Sequence, residues 1–207
     1  LSHLGSCLTA VDIIDEIYSI KKPDEKFVLS SGHAHLAHIV VRLAIEEKEA
    51  LESHPSKEDL IQRNYTRRGG EVVEEYGIHC DSRICDVSTG SLGQGLPISV
   101  GMALADREKD VYCLISDGEC SEGSIWEAFR IQKEQQLTNL KIYVNINGFG
   151  AYKPISAMLL GNQLEYMSWA KPVYTQIPKG LEFLEGQPGH YVVINQQQYE
   201  KAMEVLK

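Results

Sequence analysis

Oxygen-bearing side chains follow two apolar segments that have the character of buried strands. Asp117 comes directly after residues 111–116, and Asn147 follows the apolar run that ends at Ile146. In an open parallel sheet, ligands bind beyond the carboxyl ends of the strands, so Asp117 and Asn147 can face one ligand. Carboxylate and amide oxygens suit a hard divalent cation such as Mg²⁺ or Ca²⁺, and the backbone carbonyl of Phe149 can supply a third oxygen.

The same strand ends suit a ligand that carries phosphate. The formal net charge is −9 and, apart from Arg67-Arg68, basic residues are scattered, so a bound cation would have to neutralise a diphosphate. Gly118 allows the chain to turn sharply beside the phosphates, and the next helix would point its N-terminus at their charge. Ser116 can offer a hydroxyl to a phosphate oxygen. We therefore predict a metal-dependent diphosphate site.

Short apolar runs alternate with amphipathic stretches, a pattern that predicts an α/β domain with a parallel sheet flanked by helices. We expect one domain over residues 1–207, with an irregular segment at 151–170. The expected strands cover residues 27–29, 111–116, 142–146 and 172–177. Expected helices run from Ser6 to near Pro23, through 36–43, through 57–63, through 100–104, through 125–129 and from Gln198 onward.

Composition excludes several classes of function. Hydrophobic residues make up 43% and charged residues 24% of the 207 residues, and no apolar run approaches the roughly 20 residues that span a bilayer. No concentrated positive face is present, which argues against nucleic-acid binding. The odd number of five cysteines predicts reduced thiols and a cytoplasmic location.

Some chemically capable residues have ordinary interpretations. Cys80 and Cys85 have a C-x4-C spacing but no second cysteine pair, so they are interpreted as unremarkable thiols. Glu119 and Glu127 are interpreted as acids that favour the start of a helix. Three histidines are interpreted as ordinary surface or core residues: His35, His38 and His54.

Several motifs resemble those of transketolases. The string SDGECSEGSIWEA, followed by NGFG, resembles their thiamine diphosphate signature, and the 28 residues from Glu119 to Ile146 match its spacing. The segments SHLGSCLTAVDII, LSSGHAHLA, STGSLGQGLPISVGMALA and KPVYTQIPKGLEFLEGQPGHY agree as well, in the order of the family. The resemblance covers nearly the whole chain and implies the domain that binds the cofactor diphosphate.

The resemblance also assigns roles to residues. It implies that His3 and His33 bound the substrate channel and assist proton transfer, and that His79 and His190 are further active-site histidines. Gly90 and Leu92 would line the thiazolium and diphosphate of the cofactor, and Glu122 would contact the catalytic glutamate of an opposing domain. It places the diphosphate and its metal on the strand-end residues already described: Ser116, Asp117, Gly118, Asn147 and Phe149.

The implied activity is transfer of a two-carbon ketol unit between sugar phosphates. In transketolases a glutamate on a second domain activates the thiamine ring. We therefore expect a partner subunit that carries the pyrimidine-binding domain, in an α₂β₂ assembly. Two alternatives stay open: a subunit of another split thiamine-dependent lyase or decarboxylase, and an inactive cofactor-binding protein. The inactive-protein alternative is supported by Ser116, which stands where the family has glycine, and by the 151–170 segment, which is shorter than the corresponding region of the family.

Overall fold

Four parallel strands lie side by side at the centre of the structure. The computed structural model describes residues 3–53, 77, 79–82, 85–150, 153–186, 189 and 192–206. The strands are β1 (Lys26–Leu29), β2 (Val111–Ser116), β3 (Leu140–Ile146) and β4 (Lys171–Tyr174), and they are adjacent in this order. The predicted α/β class with a parallel sheet is confirmed.

Six α-helices accompany the sheet in the described part of the chain. No helix among the described residues is long and apolar enough to cross a membrane. Short 3₁₀ turns follow β1 and β2 at Gly32–Ala34 and Gly118–Ser121, and another lies at Glu182–Leu184. The helices are α1 (Leu4–Ile20), α2 (His35–Ser53), α3 (Gly95–Ala105), α4 (Gly123–Glu134), α5 (Ala157–Met167) and α6 (Gln196–Val205).

The two faces of the sheet pack against different helices, because successive strand residues point to opposite sides. Phe27, Leu29 and Leu114 pack with the apolar residues of α1 and α2. On the other face, Val28 and Ile115 pack with residues of α3, α4 and α5. Strands buried on both faces are near-continuous apolar runs, as in β2, where every residue is buried.

Several element boundaries differ from the sequence predictions. Helix α5 was missed, because residues 157–167 follow an irregular stretch and several of their apolar side chains are exposed. The strand expected at 172–177 ends at Tyr174. A 3₁₀ turn lies between Asp117 and α4, which is the helix expected through 125–129. The helix expected at 57–63 lies outside the described residues.

Close backbone packing brings the glycine-rich segment of residues 89–95 to the carboxyl end of β1. The Thr89 hydroxyl donates to the carbonyl of Leu29 at 2.6 Å. A Cβ at Gly32 would lie 2.7 Å from the carbonyl oxygen of Thr89, and one at Gly95 would lie 2.5 Å from Ser30. Only glycine permits these approaches, which explains why the two motifs carry glycine at these positions.

Candidate functional site

A cleft of about 180 Å³ lies at the carboxyl edge of the sheet, where β2 and β3 end. It is lined by residues from separate segments that the sequence analysis had singled out individually. Ser6 of α1 lines it as well. The other lining residues are His3, His33, His79, Gly90, Leu92, Ser116, Asp117, Gly118, Asn147 and Phe149. The folded chain therefore brings together ten of the predicted site residues.

Backbone N–H groups just after β2 and just after β3 hold the Asp117 carboxylate in place. Its Oδ1 accepts the N–H of Gly118 at 2.9 Å, and its Oδ2 accepts the N–H groups of Asn147 and Gly148 at 3.0 and 2.7 Å. The side chain is only 1% exposed. These hydrogen bonds join the end of β2 to the end of β3 and fix the carboxylate at the strand edge.

The protonation of Asp117 reflects two opposing effects. Burial raises the pKa of its carboxyl to about 6, while the hydrogen bonds from the backbone of Gly148, Gly118 and Asn147 act in the opposite direction. A cation beside the carboxyl would favour the ionised form and lower the pKa again. We therefore expect the Asp117 carboxyl to be ionised when a divalent cation is bound.

Thr9 of α1 orients the amide of Asn147. The Thr9 hydroxyl donates to the carbonyl of Ser6 at 3.2 Å, which leaves its oxygen to accept the amides of Asn145 and Asn147 at 3.0 and 3.5 Å. The amide nitrogen of Asn147 thus points toward Thr9. Its Oδ1 accepts the N–H of Phe149 at 3.0 Å and retains a second lone pair for a ligand.

The oxygen atoms at this edge form a donor set that suits Mg²⁺ or Ca²⁺. A buried carboxylate from Asp117, an amide oxygen from Asn147 and backbone carbonyls of the following loop are hard ligands. Among the described residues that line this cleft there is no lysine or arginine. The residues present therefore fit a diphosphate whose charge is neutralised through a metal.

The histidines predicted to bound the substrate channel lie together. The rings of His3 and His33 are 5.1 Å apart between centroids and tilted by 48°. His79 is exposed and packs against Gly90, where an added Cβ would lie 3.2 Å from its Cδ2. Three imidazoles from separate segments therefore border one cleft, and His190 lies outside the described residues.

Glu119 is not the solvated helix-start acid that the sequence suggested. It is completely buried, and Oε1 accepts the Ser30 hydroxyl at 2.6 Å and the N–H of Gly93 at 3.0 Å. Its Oε2 accepts the N–H of Ser116 at 3.0 Å. Burial raises the pKa of Glu119, and these hydrogen bonds oppose the rise. Glu119 therefore joins the end of β1, the glycine-rich segment and the end of β2.

Ser116 fits its position through Glu119. Its hydroxyl accepts the backbone N–H of Glu119 at 3.4 Å, and its own N–H donates to the Glu119 carboxylate. The residue is buried yet lines the cleft. Local hydrogen bonds to Glu119 thus hold the serine at this position.

A second cleft of about 370 Å³ adjoins the first and shares Ser6, Asn147 and Phe149 with it. Its other walls come from α1 and from the segment after β4, including Gln176, Ile177 and residues 184–186. The described residues that line it also include no lysine or arginine. An extended ligand can therefore reach from the strand edge along α1.

Glu122 lies apart from the lining of the 180 Å³ cleft. It is exposed at the N-terminus of α4, although its Cβ lies close to Gly93, where an added Cβ would be 2.8 Å away. Its predicted contact with an opposing domain remains a prediction. The exposure means that Glu122 is available to another surface.

Sequence reasoning missed several residues that support the site, because their role depends on contacts between distant segments. Glu119 and Ser30 are 89 positions apart, and no local spacing indicates their hydrogen bond. Thr9 lies inside a predicted helix with nothing to mark it as the partner of two asparagines. The sequence signal that could have indicated such residues is a polar residue directly after a predicted strand, such as Ser30 after Leu29.

The fold and the cleft define an α/β protein with oxygen atoms suited to a divalent cation at the carboxyl edge of a parallel sheet. Comparisons with known proteins relate it to transketolases. Human transketolase is 34% identical over 172 residues, which are 73% of this chain and 25% of that protein. Human transketolase-like protein 2 is 33% identical over 169 residues, again 73% of this chain and 25% of the relative. The predicted relation is confirmed.

Solved structures agree on the fold. A transketolase from Campylobacter jejuni superposes with a TM-score of 0.62 at 20% identity, over 94% of this chain and 37% of that one. No protein-family model matches the sequence. The chain spans about a quarter of the length of the curated relatives it matches.

Proposed function

We propose that this chain forms the diphosphate-binding part of a thiamine diphosphate-dependent transketolase. The observation that carries the proposal is the single cleft that gathers Asp117, Asn147 and three histidines from separate segments at one sheet edge. The reaction would move a two-carbon ketol unit between sugar phosphates. The five cysteines are free thiols, which suits a reducing compartment such as the cytoplasm.

In this proposal Asp117, Asn147 and the carbonyl of Phe149 hold Mg²⁺ or Ca²⁺, which binds the cofactor diphosphate. Ser116, Gly118, Gly90 and Leu92 border the cofactor. The support is the hard donor set, together with cleft linings that include no lysine or arginine among the residues that the structure describes. The fixed hydrogen bonds of Asp117 keep its carboxylate at the strand edge before the cation arrives.

The cofactor supplies the carbanion chemistry of ketol transfer, and the chain supplies binding and proton handling. His3, His33 and His79 border the cleft from separate segments, as expected of groups that hold substrate hydroxyls and exchange protons. His190 is proposed for the same purpose from the sequence motif alone. The neighbouring rings of His3 and His33 would confine the channel on one side.

We propose further that a partner subunit supplies the pyrimidine-binding domain and its activating glutamate, and that the assembly is α₂β₂. Two features support a large interface. Glu122 is exposed at the N-terminus of α4, and α5 exposes large apolar side chains, including Met158 at 70% and Tyr166 at 85%. Exposed apolar side chains of this size are typical of surfaces that meet another protein.

Calorimetric titration of thiamine diphosphate in the presence of Mg²⁺ tests the metal site. The parent chain should bind the cofactor only when the metal is present, and Asp117→Ala should show no metal-dependent binding. Asp12→Ala removes an exposed aspartate of α1 and is the matched control. Should Asp117→Ala unfold, Asp117→Asn keeps a similar shape without the charge. Unchanged affinity in a folded Asp117 variant would refute the assignment.

A mixing experiment tests the need for a partner. The purified chain alone should show no ketol transfer, because the activating glutamate comes from elsewhere. Activity should appear when the subunit carrying the pyrimidine-binding domain is added. Turnover by the chain alone, with contamination excluded by an inactive Asp117→Ala preparation, would contradict the partner proposal and leave the cofactor site standing.

A further inference from the structure

Four side chains outside the cleft converge inside the core beneath α2. His35 and His38 lie one helical turn apart at the start of α2, and Cys80 and Cys85 come from the segment that precedes the glycine-rich motif. One ligand-type atom from each lies within 4.8 Å of the others. His35, His38 and Cys80 are buried, and Cys85 is partly buried.

The distances between these atoms match a tetrahedral metal site. With Zn–S bonds of about 2.3 Å and Zn–N bonds of about 2.0 Å, a tetrahedron has N···S edges of about 3.5 Å. His35 Nδ1 lies 3.5 Å from the sulfur of Cys80 and 3.7 Å from that of Cys85. His38 Nδ1 lies 3.5 Å from the sulfur of Cys85. The four atoms therefore surround a common point.

Hydrogen bonds alone explain this cluster poorly. The sulfur of Cys85 lies near two ring nitrogens, although a thiol has only one proton to donate. His35 Nε2 is buried without a hydrogen-bond partner among the described residues, so the ring is placed by its Nδ1 side. Burying polar atoms in an apolar core costs free energy unless they have a bonding partner. A metal ion would bind all four ligand atoms, namely the two Nδ1 nitrogens and the two cysteine sulfurs.

The surroundings of His38 complete the pattern of a metal ligand. The Tyr18 hydroxyl lies 2.7 Å from His38 Nε2. If Nε2 carries the proton and donates it to Tyr18, the lone pair of Nδ1 is free to face the thiols. Metal-bound histidines commonly make such an outer hydrogen bond through the second nitrogen, which fixes the tautomer and the ring.

We propose that His35, His38, Cys80 and Cys85 bind a structural Zn²⁺. Two thiolates and two neutral imidazoles are the ligands of a closed Cys₂His₂ site, and the thiolates cancel the charge of the ion in an apolar core. C-x4-C also falls within the usual spacing of zinc ligands. The sequence interpretation missed the site because the second pair consists of histidines on a helix.

Such an ion would join two walls of the cleft. His33 precedes the ligand His35 by two residues, and His79 directly precedes the ligand Cys80. Zinc would thus tie the segment carrying His79 and Gly90 to the start of α2. This site is separate from the hard oxygen ligands around Asp117, and it stands whether or not the chain binds thiamine diphosphate.

Metal analysis of the purified chain tests the proposal. Protein produced with zinc in the medium and purified under reducing conditions should contain about one zinc per chain. Cys80→Ser and Cys85→Ser should lose it, whereas Cys120→Ser, which removes a buried thiol outside the cluster, should keep it. Asp117→Ala should also keep it, since that variant affects only the proposed diphosphate site.

Cobalt substitution gives a readout that does not depend on how the variants fold. Co²⁺ bound by the parent chain should show thiolate-to-metal charge-transfer absorption and the visible bands of a tetrahedral ion. Added Zn²⁺ should displace it. The proposal fails if the reduced parent binds neither ion stoichiometrically, if folded Cys80 and Cys85 variants retain the metal, or if the two thiols are found as a disulfide.

Discussion

Two buried carboxyl groups, Asp117 and Glu119, lie two residues apart and serve different purposes. Asp117 faces the cleft, and it accepts hydrogen bonds from backbone N–H groups that join β2 to β3. Glu119 points away into the protein and gathers a hydroxyl and two N–H groups from three segments. The first is suited to a cation, and the second positions the chain segments that form the cleft.

Replacing Glu119 should destabilise the fold strongly. In Glu119→Ala the Ser30 hydroxyl and the N–H groups of Gly93 and Ser116 lose their acceptor, at about 1–3 kcal/mol for each buried group left unpaired. We expect a loss of at least about 3 kcal/mol, which corresponds to a fall in melting temperature of about 6–12 °C for a chain of this size. Thermal unfolding followed by circular dichroism measures this fall.

Glu119→Gln and Glu127→Ala make the test specific. The glutamine keeps one oxygen acceptor but turns an NH₂ group toward the N–H of Ser116, so its loss should be smaller than that of Glu119→Ala. Glu127 is exposed on α4, and its replacement should change the melting temperature little. If Glu119→Ala melts like Glu127→Ala, the buried network contributes nothing to stability.

The raised pKa of Asp117 predicts a pH dependence with a defined sign. The carboxyl ordinarily titrates at 3.8 and, in the folded chain, at about 6. Between these pH values the folded state binds more protons than the unfolded state. The contribution of Asp117 protonation to the free energy of unfolding is therefore fully present below pH 3.8 and is lost as the pH rises through about 6. The loss amounts to at most about 3 kcal/mol.

Urea unfolding of the parent and of Asp117→Asn at pH 5 and pH 7.5 isolates this contribution. The parent, without metal or cofactor, should lose more stability than the variant between the two pH values. Mg²⁺ with thiamine diphosphate should restore stability to the parent at pH 7.5, because the cation favours the ionised carboxyl. An identical pH dependence for both proteins would remove Asp117 as its source.

At the scale of elements, the sequence predicted the parts whose pattern is local. Strand β2 was predicted to the residue, because a continuous apolar run followed by Asp117-Gly118 is a strong local signal. Helix α5 was missed, since its exposed Met158 and Leu159 weaken the amphipathic pattern. The His35–Cys85 cluster depends on contacts between residues 50 positions apart, which no local pattern indicates.

Helix α3 offers a matched pair of glycines for testing the packing at its start. At Gly95 an added Cβ would lie 2.5 Å from the Cα, Cβ and Oγ of Ser30, so the end of β1 must shift. At Gly101, in the same helix, no atom lies within 4 Å of an added Cβ. We expect Gly95→Ala to destabilise by about 1–3 kcal/mol, as overpacking does. Gly101→Ala should stabilise by about 1 kcal/mol through helix propensity.

Denaturant unfolding and cofactor titration distinguish the two effects of this pair. Because Ser30 donates to Glu119 and accepts the N–H of Gly95, Gly95→Ala should also weaken cofactor binding. Gly101→Ala should leave binding unchanged. Equal stability of the two variants would show that the start of α3 has room for a side chain and that the close approach is unimportant.

At the scale of the whole molecule, we propose that the chain carries one wall of a larger active site. It spans about a quarter of its transketolase relatives, and its cleft is bordered by histidines and metal-type ligands without a cationic phosphate clamp among the described lining residues. Apolar side chains on α5 and the carboxylate of Glu122 are exposed. Assembly with a second domain would complete the site and cover these surfaces.

Glu122 tests that assembly directly. In the resembled family this acid meets the catalytic glutamate of the opposing domain, and two carboxyl groups can lie so close only when they share a proton. Glu122→Ala and Glu122→Gln should therefore weaken association with the partner subunit or lower the activity of the mixture.

Either substitution should change the stability of the isolated chain very little, because Glu122 is exposed and its side chain does not cap α4. A first-turn acid contributes only about 0.3–1 kcal/mol to its helix. Thermal unfolding of the chain alone should thus stay near that of the parent, while sedimentation and ketol transfer are measured on mixtures with the partner. Glu127→Ala, five residues further along α4, is the control that should match the parent in both measurements. If Glu122→Gln assembles and turns over like Glu127→Ala, Glu122 is a solvated acid and the interface lies on another face.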